Sequence, residues 1–328
     1  MKKKKSKPKP LEAIEGITYN YPDIWDKVDP SDFNTVQKFC EDNKILNSIY
    51  LVAALSKWQQ SKQIFEIDAE LCNVLAQTDK TDEEIPVEAI ENLMFDCFYV
   101  KLPNDYITIT KLVSNQGEYG SFVVDGFFYF VSQKNEMKSI NIVLLLTTGY
   151  SFSLGCDVHN GLSLRECIDR KMNVNSYVYK VMNLFMQIIL YMSAVNADVE
   201  EDSGQKEIRE RAVKKETSEE KTNQTDKKTT NNEISYRELQ KWNVGYRYGS
   251  AVKKARQAER KKRDINTEQE QTARQGSHSR KRTHARRGHF HHFWTGSRNG
   301  ERHLIVKWVS PIIVNAEYDN IVTIRKVK

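Results

Sequence analysis

Two runs decide the fold class: SFVVDGFFYFV, Ser121–Val131, and SINIVLLLT, Ser139–Thr147. Both are built from Val, Ile, Leu, Phe and Tyr, the residues that fit a pleated surface. Phe127–Phe130 and Val143–Leu146 are continuous apolar stretches, which predicts strands covered on both faces. Lys134-Asn135 separates the two runs as a turn. Outward from them, Phe95–Leu102 and Tyr106–Leu112 have the same composition, and Pro103-Asn104, Gln116-Gly117 and Gly149 punctuate the series. The simplest arrangement is an antiparallel meander.

Helical patterns flank this block. Ser31–Asn43 and Lys44–Lys62 read as helices; in the second, Ile45, Ile49, Val52 and Ser56 trace one stripe, with Trp58 on the core side. Asp68 is placed to cap a short helix ending near Gln77. Ser163-Leu164-Arg165-Glu166 is a capping box that opens a helix to Lys171, because hydroxyl and carboxylate can satisfy each other's free backbone donors. Ser176–Val195 is the most apolar segment. Its length permits a membrane span, but Lys180, Asn183 and Gln187 fall on one stripe, which predicts a buried core helix with a wet edge and no membrane contact. The expected fold is α+β: an antiparallel sheet with packed helices, a buried apolar helix, and a basic C-terminal module of helix plus strands.

The apolar share of 39% is low for a globular chain, so polar tails or inserts dilute an ordinary core. Residues 1–10 read as a basic disordered tail and 11–198 as the α+β body. Residues 199–234 mix charges of both signs with Thr, Asn and Gln, and read as a disordered linker. The remainder, 235–328, is the basic module. There a second capping box, Ser235-Tyr236-Arg237-Glu238, predicts a helix with Leu239, Trp242, Tyr246 and Gly249 on one face, running on through Arg263. Strands are expected at His303–Val309, Pro311–Asn315 and Asn320–Val327.

Charge is segregated. Six lysines and no acid lie between Lys2 and Lys9, and fifteen Lys/Arg against five Asp/Glu lie between Ala251 and Arg302. Those excesses exceed the chain's net +6, so the rest is net acidic. A basic strip on an acidic body favours a polyanionic partner on one face. The five cysteines, Cys40, Cys72, Cys97, Cys156 and Cys167, show no CxxC spacing; reduced, buried thiols in a cytoplasmic protein are expected, with no secretory signal.

Polar chemistry concentrates in SHSRKRTHARRGHFHHFW, Ser277–Trp294, where five of the seven histidines lie among five Lys/Arg and three aromatic rings. Arg and Lys neutralise phosphates, and exposed rings stack on unpaired bases, so single-stranded RNA is the favoured ligand. The candidate contacts are Arg280, Arg282, His284, Arg286, Arg287, His289, His291, Phe293, Trp294 and Lys307. The aromatics also fit a core that anchors a solvated basic loop, and the histidines an internal hydrogen-bond network. His289-Phe290-His291 puts two imidazoles on one face of a strand, which leaves open a metal-dependent nuclease using Tyr246 or Tyr248 as nucleophile. No third ligand is specified, and no catalytic residue, resident metal or cofactor is assigned. Walker, GxGxxG and GxSxG patterns do not occur.

The block HARRGHFHHFWTG, followed by ERHLIVKWVSPIIVN, resembles the C-terminal signature of the second-described class of type V-A anti-CRISPR proteins of phages and mobile elements. The matching positions are His284, Arg286, Arg287, Gly288, His289, Phe290, His291, Phe293, Trp294 and Gly296, then Lys307, Trp308, Pro311, Val314 and Asn315. Upstream, Gly245–Arg256, Gly161–Ser163 with Glu166, Ile85–Val100 and Gly126–Phe128 look similar to family positions. The lysine tail has no assigned counterpart, and the linker is long. The resemblance implies a protein that recognises the nascent N-terminal polypeptide of the type V-A effector nuclease and triggers loss of its mRNA. It implies contacts with that peptide and with mRNA or the ribosome. Whether such a protein cuts RNA itself stays open.

Overall fold

The computed structural model describes residues 7–78, 85–90, 93–112, 119–134, 137–159, 161–173, 176–202, 239–266, 284–297 and 300–314. The chain forms two compact units, the first from residues 1–67, 93–172 and 199–244, the second from 68–92, 173–198 and 245–328.

The first unit holds an eight-stranded sheet: β1 Gln63–Ile67, β2 Cys97–Lys101, β3 Thr108–Leu112, β4 Tyr119–Lys134, β5 Met137–Leu146, β6 Ser151–Val158, β7 Val199–Glu201 and β8 Gln240–Val244. The order is β6-β5-β4-β2-β1-β8-β7, with β3 also on β4. The four expected strands are present and pair antiparallel. β3 lines the first half of β4 and β2 the second half. Between the halves the β4–β5 register shifts, at Val124 to Gly126. A Cβ on Gly126 would lie 2.2 Å from the Val100 carbonyl oxygen, so only glycine lets the strands meet there. Beside it the buried Tyr99 hydroxyl donates to Asp125 at 2.7 Å.

Four strands of this sheet were not expected. β1 follows the second long helix directly, β6 follows Gly149, β7 opens the stretch read as a disordered linker, where it pairs antiparallel with β8, and β8 occupies a stretch read as helix. β1 lies parallel to both β2 and β8, so the sheet is mixed, not purely antiparallel. The helical reading of Leu239–Val244 rested on the i, i+3 spacing of Leu239 and Trp242; residues 235–238 lie outside the described residues. Tertiary context decides for strand. Trp242 stacks on its register partner Phe65 at 5.9 Å, and its indole N–H donates to Gln63 Oε1 at 2.6 Å. Gln63 Nε2 donates to Gln240 Oε1 at 2.8 Å, so this nearly buried amide uses both ends to pin β8. Phe65 then meets Phe98 edge-on and Phe98 stacks on Tyr129, a row of rings across four strands.

Helices α1 Lys9–Asn20, α2 Ile24–Lys27, α3 Phe33–Asp42 and α4 Ile49–Ser61 close one face of this sheet. α1 begins inside the stretch read as a tail, with Pro8 before it and Pro10 buried, since proline is tolerated in a first helical turn. Trp58 of α4 is fully buried against Phe128, and its N–H donates to the Gln63 carbonyl at 2.8 Å. Fully burying a ring such as Phe128 stabilises by roughly 1.5–3 kcal/mol. Farther on, α6 Leu164–Lys171 opens with both halves of the expected capping box. The Ser163 N–H donates to Glu166 Oε2 at 2.8 Å, and that bond holds the Glu166 carboxyl below its ordinary range.

The second unit contains α5 Ala69–Gln77, the apolar α7 Tyr177–Ser193, the basic α8 Tyr246–Asn266, and four short strands, β9 His284–Arg286, β10 His289–Gly296, β11 Arg302–Val309 and β12 Ile312–Val314. Asp68 caps α5 as expected, accepting from the Glu70 N–H at 2.8 Å. On α7, Lys180 is exposed and Asn183 and Gln187 are half-buried, the wet edge of an otherwise buried helix. Among the described residues no helix is long and apolar enough to cross a membrane. α8 starts at Tyr246 because Gly245 has φ +74° and a Cβ there would strike Leu71 at 2.2 Å. The strand expected at Asn320–Val327 lies outside the described residues. All five cysteines are buried thiols.

Candidate functional site

β10 and β11 form a hairpin in register from His289↔Val309 to Gly296↔Arg302. Opposed residues of an antiparallel pair share a face, and faces alternate along each strand. One face therefore carries Phe290, Trp308, His292, Val306, Trp294 and Leu304. The other carries His289, His291, Lys307, Phe293, Ile305, Thr295 and His303. Burial agrees with this division. Phe290 is 1% and Trp308 5% exposed, with Val306 and Leu304 also buried, whereas His291, Phe293, His303 and Lys307 are exposed.

The inner face is anchored at Trp308. Tyr191 of α7 and Tyr248 of α8 meet its indole edge-on, at 5.1 and 5.5 Å. Asn196, just after α7, treats the Trp308 backbone as a strand would. Its Nδ2 donates to the Trp308 carbonyl at 2.8 Å, and the Trp308 N–H donates to its Oδ1 at 3.0 Å. The Val195 N–H adds a bond to the Val306 carbonyl at 3.0 Å. Asp198 then caps α8 from outside that helix, accepting from the Arg247 and Tyr248 N–H groups at 2.8 and 3.2 Å. The Asp198 N–H in turn donates to the Tyr191 hydroxyl at 3.0 Å. Burial pushes the Tyr191 hydroxyl up to about 12. One short segment, 195–198, thus ties hairpin, α7 and α8 together. Along α8, Lys253 pairs with Asp68 at 3.2 Å and Arg256 with Glu70 at 2.6 Å, so part of the basic helix is neutralised within its own unit.

The hairpin is continued by β9 and β12, paired from His284↔Val314 to Arg286↔Ile312. Between the two ladders lie Arg287-Gly288 and Ser310-Pro311. A Cβ on Gly288 would be 3.1 Å from the Val309 carbonyl and 3.2 Å from Pro311 Cδ, which accounts for a glycine beside the Arg pair. At the far end Gly296 has φ +115°, and a Cβ there would sit 2.4 Å from the Glu301 carbonyl, so it too must be glycine.

Of the residues singled out from sequence, His289, His291, Phe293 and Lys307 come together on the outer face. Lys307 stands opposite His291. Arg287 is exposed at the junction of the ladders, and His284 and Arg286 lie on β9. Trp294 is 44% exposed, on the face opposite to Phe293. Arg280 and Arg282 lie outside the described residues. His303 joins the outer face but was not singled out; its alternation with buried Leu304 was the available signal. Asn196 and Tyr191 left no signal in sequence, because each acts through a fold contact more than a hundred residues away.

Electrostatically the described part of the hairpin presents Arg287, Arg302 and Lys307 against one acid, Glu301. The His289 and His291 rings touch, with Nε2 atoms 2.9 Å apart. Among the described residues no group of three His, Cys, Asp or Glu is arranged to hold a metal. Tyr248, considered as a nucleophile for metal-dependent cleavage, is packed on Trp308, and burial raises its hydroxyl. The arrangement is chemically suited to phosphate and to an unpaired base: cations and imidazoles beside one exposed phenyl ring.

Residues 65–316 match the family model described as AcrVA2-like, the anti-CRISPR type V subtype A2 family. Among solved structures, a crystal structure of AcrVA2 is similar with a TM-score of 0.55 and 16% identity, covering 94% of this chain and 100% of that one. At that identity the likeness concerns the fold. A search of curated proteins finds no match.

Proposed function

Because the chain belongs to the AcrVA2-like, anti-CRISPR type V subtype A2 family, we propose that it lowers production of a type V-A CRISPR effector nuclease in the host cytoplasm, by recognising the nascent N-terminal polypeptide and triggering loss of the translating mRNA. In this reading the C-terminal hairpin and basic helix make the contact with RNA or the ribosome. The supporting observation is the outer face of β10–β11, where His291, Phe293 and Lys307 are exposed and His289 lies half-buried beside them. The inner face is held by Phe290, Trp308, Val306 and Leu304.

The test is repression of a reporter fused behind the effector's N-terminal coding sequence, together with a pull-down from translating lysate with and without RNase. Wild type represses and retains ribosomal material in an RNase-sensitive way. Arg286→Ala with Arg287→Ala abolishes repression without lowering the melting temperature. Full repression by that double variant contradicts the reading.

A further inference from the structure

We propose that His289 and His291 form a binding site for a divalent ion of the zinc class on the outer face of β10. The two residues are i and i+2 on one strand, so both imidazoles leave the same side of the ribbon. Their Nε2 atoms converge to 2.9 Å, with ring centroids 4.6 Å apart and planes at 73°. Two ring nitrogens held this close on one strand face can turn together toward an ion with open coordination positions. Zinc–nitrogen bonds of about 2.0–2.1 Å at a tetrahedral angle put the nitrogens about 3.3–3.4 Å apart. The rings therefore need to separate by only about half an ångström, a change that small side-chain torsions can supply.

Proton bookkeeping closes without a net change. In the paired state one ring donates Nε2–H to the other. With the ion bound both Nε2 lone pairs face it, and that proton moves to Nδ1 of its own ring. Two neutral imidazoles select Zn²⁺, Ni²⁺ or Cu²⁺ over Mg²⁺ and Ca²⁺, which prefer oxygen. The remaining positions are open to water or an outside oxygen, such as that of a phosphate. Lys307, directly across from His291, opposes a cation here, and so does Arg287 at the start of the ladder. The site is accordingly weaker than a four-ligand structural site, and removing Lys307 strengthens it. The inference does not depend on the RNA reading.

The experiment uses the full chain, stripped with chelator, in equilibrium dialysis against Zn²⁺ and separately Ni²⁺. One ion per chain is expected with the strongest affinity. His289→Gln and His291→Gln each weaken it by at least about tenfold. His292→Gln on the inner face and His278→Gln leave it unchanged, and Lys307→Ala tightens it. Unchanged melting temperatures without metal show that the variants fold. Should a variant not fold, ¹⁵N shifts of the wild-type histidine side chains on zinc addition replace it: His289 and His291 Nε2 move first. Equal zinc binding by wild type and the double variant, or first shifts on other histidines, overturns the site. Loss of RNA retention in Lys307→Ala with tightened zinc binding supports both readings, whereas intact zinc binding with no RNA retention by wild type defeats the RNA reading alone.

Discussion

Asn196→Ala is the substitution whose cost is best defined by the geometry. The Asn196 amide satisfies both backbone groups of Trp308, accepting at 3.0 Å and donating at 2.8 Å. Trp308 is 5% exposed, so water does not readily replace those bonds. A buried polar group left without its partner costs about 1–3 kcal/mol. Two such groups set an expected loss of about 2–4 kcal/mol, below the simple sum because the alanine site admits some water. The loss falls on the second unit, so a global denaturation curve of this two-unit chain is a poor readout. Amide hydrogen exchange at Trp308 and Val306 is better: protection there drops by at least about thirtyfold, the equivalent of 2 kcal/mol. Protection in β4 and β5 stays as it was. Asn196→Asp keeps the acceptor and loses the donor, and falls between. Unchanged exchange at Trp308 in Asn196→Ala would refute the idea that this amide holds the hairpin.

Other expectations concern the outer face and the titrating groups. Phe293→Ala weakens retention of single-stranded RNA by the equivalent of about 1–3 kcal/mol, one stacked base, in a filter-binding assay, while Trp294→Ala, on the other face, changes it less. Lys307→Ala lowers affinity across RNA sequences and reduces the salt slope by about one. The Tyr191 hydroxyl, raised by burial to about 12 from its ordinary 10.0, stabilises the fold fully below pH 10, and that contribution is lost as pH rises toward 12. Tyr191→Phe therefore flattens the alkaline limb of the melting-temperature profile. Glu166, lowered by the Ser163 N–H, adds stability above its ordinary 4.5 that disappears as pH falls below it, so Glu166→Gln flattens the acid limb.

Local patterns carried much of this fold. The apolar runs at Phe127–Phe130 and Val143–Leu146 are central strands, Ser163 and Glu166 make their box, and Asp68 caps its helix, because each signal depends on neighbours within a few residues. What escaped was non-local. β8 is a strand because Gln63 and Phe65, about 177 residues earlier, offer Trp242 a ring and an acceptor. Its own residues carry a helical spacing that the sheet overrides. At the site, alternation along β10 was legible, and it correctly joined His289 to His291. The partition of the three aromatics needed the register: Phe290 is core, while Phe293 and Trp294 part to opposite faces.

The central claim is that the outer face of β10–β11 meets RNA in translating complexes. Ultraviolet crosslinking in translating lysate, followed by mass spectrometry of the nucleotide-bearing peptides, tests it most directly. Crosslinks are expected on the peptides holding His291–Phe293 and Lys307, and their loss on RNase treatment before irradiation. Crosslinks confined to the eight-stranded-sheet unit, or their absence from the hairpin in a sample that represses fully, would contradict it.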